Sequence, residues 1–133
     1  MSGDLVIRDL LLADSTVFAT VGNSIFVNDD VPQNQKAPYI HIKHVGGRDP
    51  WKTISGPSGV TEDQIDVNCY HKTNAGCRSL GADIQRALDG YRGEVNSNQV
   101  RGITLNDNAP FTDSSVHPKA YSWRYNFEII CDA

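Results

Sequence analysis

Thr61-Glu62-Asp63-Gln64-Ile65-Asp66-Val67-Asn68-Cys69-Tyr70-His71 runs, two residues later, into Asn74-Ala75-Gly76-Cys77-Arg78-Ser79-Leu80-Gly81-Ala82-Asp83-Ile84-Gln85-Arg86-Ala87-Leu88. In the first stretch Ile65, Val67 and Cys69 alternate with Gln64, Asp66 and Asn68. That period of two belongs to a strand with one buried face. In the second, Cys77, Leu80, Ile84, Ala87 and Leu88 fall on one stripe of a 3.6-residue helix, with Arg78, Asp83, Gln85 and Arg86 off it. Thr73 or Asn74 supplies the N-cap, and Gly90 stops the helix. A strand that turns directly into an amphipathic helix implies a sheet with helices laid on it.

Working outward, Tyr121 to Ile130 is a second alternating strand. It sets Tyr121, Trp123, Tyr125, Phe127 and Ile129 on one face, and Ser122, Arg124, Asn126 and Glu128 on the other. Val100 to Leu105 reads as a further strand. Upstream, Pro38 opens a strand from Tyr39 to Val45 in which Ile40 and Ile42 share a face, and Ile25 to Val27 is a short one. At the start, Val6, Ile7, Leu10 and Leu11 have helical spacing. Asp14-Ser15 caps a second short helix through Val17, Phe18 and Val21, which Gly22-Asn23 ends. The predicted order is α-α-β-β-β-α-β-β. This is an α+β fold: a mostly antiparallel sheet of four to five strands with helices on one face.

Gly46 to Val60 holds four Gly and two Pro, and is predicted to be a long loop inside a single domain spanning residues 1–133. Within it, Trp51 lies between Arg48 and Lys52. A large aromatic beside cations in a loop has the composition of an interface anchor. A Trp folded back over its own sheet is the alternative.

Composition narrows the function by exclusion. The net charge of −4 argues against a surface built to grip phosphates. No stretch of about 18 apolar residues is present, so no membrane-spanning helix is expected. Met1-Ser2-Gly3-Asp4 lacks the basic start of a secretory signal. Cys69, Cys77 and Cys131 are an odd set that reads as reduced thiols of an intracellular protein.

No candidate chemistry survives its spacing. His41 and His44 are three apart on a strand and point to opposite faces, so they share no ion. Cys69, His71 and Cys77 lack a fourth zinc ligand. Ser55-Gly56-Pro57-Ser58-Gly59 is not the strand-to-helix turn that a nucleophile needs. Asp29-Asp30 and Glu62-Asp63 read as solvated charges. The aromatic row from Tyr121 to Phe127 reads as a core face, with a base-stacking platform as the alternative. No catalytic residue, cofactor site or metal site is expected.

Several segments, taken in order, resemble a known family. These are Val17 to Phe26, Ala37-Pro38-Tyr39-Ile40, Gln64 to Tyr70, and Ala82 to Gly90. The sequence is similar over Leu5 to Ile130 to the tail-completion, or tail-terminator, proteins of long-tailed phages, departing from them around Pro50 to Gly59. The resemblance implies a structural subunit of the virion neck, assembled in the host cytoplasm and not an enzyme. It implies a ring, usually of six copies, that ends the tail tube and joins it to the head connector, or stopper, protein. Its partners would be other copies of itself, the tail tube protein and that connector, with DNA passing through the lumen unbound and no membrane involved. The rival readings are a head-completion or minor tail subunit, and a small nucleic-acid-binding or adaptor domain.

Overall fold

In the computed structural model, the residues described are 3–28, 31–32, 35–48, 60–95, 98–111 and 121–132. They form helices α1 (Gly3–Ala13), α2 (Ser15–Val21) and α3 (Asn74–Leu88). The strands are β1 (Ile25–Val27), β2 (Tyr39–Arg48), β3 (Val60–His71), β4 (Gly93–Val95), β5 (Asn98–Phe111) and β6 (Tyr121–Asp132). One sheet contains all six strands in the order β1-β2-β3-β6-β5-β4. Its strand pairs are antiparallel except β1 with β2, which are parallel. The sheet thus has more strands than the four to five predicted, and one parallel pair.

The apolar side of the β3 alternation sorts as expected, although Asn68 and Tyr70 on its other side are buried too. Ile65, Val67 and Cys69 are fully buried and register with Phe127, Tyr125 and Trp123 of β6. On that face lie α1 and α3, with α2 packed against the two helices. Val6, Ile7 and Leu11 of α1 meet Cys77, Leu80, Ile84 and Leu88 of α3 in one core with the inward side chains of the sheet. Thr73 is the N-cap of α3, its hydroxyl accepting from the Gly76 amide at 3.0 Å. Asp14 caps α2 by accepting from the amides of Thr16 and Val17, each at 3.1 Å. Gly22 leaves α2 at φ +58°, a conformation that favours glycine.

The predicted loop of 46–60 is shorter than its composition implied. Gly46, Gly47 and Arg48 belong to β2, pairing with Gln64, Asp63 and Glu62, and Val60 belongs to β3. A bulge between His44 and Gly46 lets the strand absorb its glycines. β5 also runs past Leu105 to Phe111, through a second bulge between Leu105 and Asp107.

Candidate assembly interface

Glu62 and Asp63 are not solvated charges: both are buried in the central strand. Asp63 accepts from the Gly3 amide at 2.9 Å and faces the His44 imidazole at 3.3 Å, which answers part of the cost of burying a carboxylate. Asn28, at φ +53°, ties the same corner together. Its side chain donates to Asp4 at 2.9 Å and accepts from the His44 amide at 3.0 Å, and its own amide donates to the Ile42 carbonyl at 2.7 Å. The imidazole of His41 meets the Asn28 carbonyl, so the two histidines do separate, as a strand requires.

Cys69 and Cys77 come together across the α3–β3 contact, their sulfurs 3.9 Å apart, and all three cysteines are free thiols. The contact with Cys77, together with burial, pushes the Cys69 thiol far up. His71 does not join them. Its ring lies under Gly76, where an added Cβ would sit 2.2 Å from it.

The aromatic row of β6 divides. Tyr125 and Phe127 are core, whereas Tyr121 is 51% exposed and Trp123 lies at the core's edge. The Trp123 indole donates to the Asn108 side chain at 3.0 Å, with the Arg78 guanidinium 5.4 Å from its ring centre. Buried beneath α3, Tyr125 and Phe127 cannot stack on bases, which removes the platform reading. Tyr, Trp and Arg clustered at one exposed corner are instead the residue types that anchor protein interfaces.

The face of the sheet away from the helices carries features that composition did not reveal. Tyr39 stacks on Tyr70 at 4.4 Å, with Phe26 and Phe111 edge-on at either side. Beyond this row Asn106, Asn126 and Asp66 form a hydrogen-bonded line across three strands. Lys43 and Arg124 flank Asp66 in a groove of about 360 Å³. These contacts depend on strand register, and only the proline-tyrosine start of β2 hints at them in sequence.

Of the three residues singled out as an interface, Arg48 lies at the end of β2, opposite Glu62. Trp51 and Lys52 lie outside the described residues, as do Asp29-Asp30 and Ser55 to Gly59. Among the described residues, no group of three His, Cys, Asp or Glu side chains is placed to hold a metal.

Among the described residues, the arrangement is a helix-backed sheet whose side chains form no group placed to hold a metal. Residues 6–132 match the family described as Tail completion protein gp17, and the chain belongs to that family. It is therefore a structural phage tail-completion protein and not an enzyme. The fold is also similar to a chain in the solved virion of a native gene transfer agent particle. The TM-score is 0.70 at 16% identity, covering 99% of this chain and 96% of that one. No curated protein matches the sequence significantly.

Proposed function

We propose that the chain is one subunit of a ring, of about six copies by the symmetry of tail tubes, that closes the head-proximal end of the tail tube. The ring stops further addition of tube protein and offers its other side to the head connector, and DNA crosses its lumen without being held. The family match over residues 6–132 carries this reading. The net charge of −4 accords with it, because an acidic chain is not built to retain phosphate. The protein resides in the virion neck after assembly in the host cytoplasm. Arg48, Trp51 and Lys52 contact a neighbouring subunit or the tube, Trp51 as the anchor and the two cations at its rim.

Electron microscopy of the particle tests the ring, and light scattering of the protein with and without tube protein tests its assembly. A single copy at the neck, or a mass that never exceeds one subunit in the presence of tube protein, rejects the reading.

A further inference from the structure

The four long strands β2, β3, β6 and β5 alternate in direction, and the strands flanking them are short. β1 covers β2 only at Ile40–Ile42, and β4 covers β5 only at Asn98–Val100. Each edge is then closed by local bonds. The Asn28 side chain takes the His44 amide. On the other side, the Ile103 carbonyl accepts from the Gly90 amide at 2.8 Å and the Asp89 carboxylate takes the Leu105 amide at 3.1 Å. A bulge follows in both strands, and beyond it no described strand lies against either edge.

Backbone groups in an antiparallel strand point alternately inward and outward. On β2 the outward positions are Ile40, Ile42 and His44; the bulge shifts the phase, so the next is Gly47. On β5 they are Ile103 and Leu105, then, past the bulge, Asn108 and Pro110. Proline tolerates an outward position, since no ladder bond is needed there. Gly47 and Asn108 are thus the residues past each bulge with both an outward amide hydrogen and an outward carbonyl.

We infer that, in the proposed ring, the end of β5 in one subunit pairs antiparallel with the end of β2 in the next, Asn108 opposite Gly47. The inference rests on the ring reading. A rotation about an axis to which the strands are inclined but not perpendicular brings a descending β5 beside an ascending β2, which gives the antiparallel direction. The register follows from the two outward positions, and it sets Asp107, which is 64% exposed at its side chain and lies 3.9 Å from Arg124 of its own subunit, opposite the backbone of Arg48. Ala109 falls opposite Gly46, and Pro110 opposite the exposed Val45. Val45 and Tyr121 are two of the three large hydrophobics exposed among the described residues, and each lies near one of these open ends. The ends occupy diagonal corners of the sheet, so neighbouring subunits are staggered and their strands inclined to the ring axis, as closure of a sheet demands. The contact joins two different patches and repeats around the ring.

The test places cysteines at Gly46 and Ala109 together. An added Cβ at Gly46 meets open space, and the native thiols are buried. In assembled particles under mild oxidation, the double variant is expected to give covalent dimers, trimers and higher species, and each single variant none. Hydrogen exchange on the unaltered protein provides an independent reading: the amides of Gly47 and Asn108 exchange freely in the lone subunit and become protected in the particle. A ring in micrographs without cross-links, and with both amides still exchanging freely, overturns the pairing and leaves the ring standing. One copy at the neck overturns both. If the double variant fails to fold, the exchange measurement decides.

Discussion

Gly81 of α3 lies so close to Tyr125 of β6 that a Cβ on the glycine would come within 2.2 Å of the phenol oxygen. Glycine inside a helix costs about 1 kcal/mol relative to alanine. Here it lets the helix backbone come down onto the ring. Gly81→Ala is therefore expected to destabilise the fold by about 1–3 kcal/mol despite its better helix propensity. Denaturant unfolding measures this, and adding Tyr125→Phe, which removes the nearest atom, should restore part of the loss. An alanine variant as stable as the parent would mean that the ring moves aside at little cost.

The cap of α2 is also an inter-helix tie, because Asp14 accepts from the Arg86 guanidinium at 3.1 Å. Burial raises its carboxyl, but the Val17 amide and Arg86 outweigh that and hold it below the usual carboxylate range. A depressed folded value means that the contribution is complete at neutral pH and fades as pH falls through the carboxyl's folded value. Asp14→Ala should cost about 0.5–2 kcal/mol at neutral pH, with Asp14→Asn milder because it can still cap. Urea unfolding at neutral and acidic pH should show the difference between parent and Asp14→Ala shrinking in acid.

Trp51→Ala tests the proposed anchor. A buried aromatic anchor is commonly worth about 2 kcal/mol or more on truncation. The variant should have an unchanged circular dichroism spectrum and yet fail to complete tails, so that overlong or headless tails accumulate. Arg48→Ala and Lys52→Ala should be milder and more sensitive to salt. Loss of the folded spectrum would assign Trp51 to the core, and unchanged infectivity would remove it from the interface.

The Cys69 and Cys77 thiols should resist labelling by an aromatic disulfide reagent in the native protein and react once it is unfolded, because only exposed thiolate is nucleophilic. Replacing Cys69 with Ser and His71 with Ala together should leave assembly intact. Rapid native labelling, or a stoichiometric metal ion released on unfolding, would refute the view of this cluster as packed thiols.

Elements with strong internal periodicity were legible in the sequence. The β3 alternation, the α3 stripe and the Asp14 cap each follow from local side-chain chemistry, and each took its expected place. What escaped was fixed by neighbours. Asn106 to Pro110 is rich in turn formers and is held extended by β6, with which Asp107 to Pro110 pair residue by residue past the bulge at Asn106. Gly46 and Gly47 look like a loop until a bulge makes room for them. Glu62 and Asp63 look solvated until β3 is placed at the centre of the sheet with Gly3 and His44 as partners. The surface was least legible. The stack of Tyr39 on Tyr70 and the exposed corner at Tyr121 depend on register, which no single strand encodes.

The position of β6 between β3 and β5 also governs when the chain can fold. Its register with β3 runs from His71 with Tyr121, 50 residues later, to Val60 with Asp132, 72 residues later. Pairings this remote in sequence must close large loops before they stabilise anything, which makes folding slow. During synthesis, β2 with β3 and α3 on its strand can form early, but the core stays half built until β6 has left the ribosome. Each subunit thus completes its fold late, and a chain broken off before Tyr121 lacks the strand with which both β3 and β5 pair.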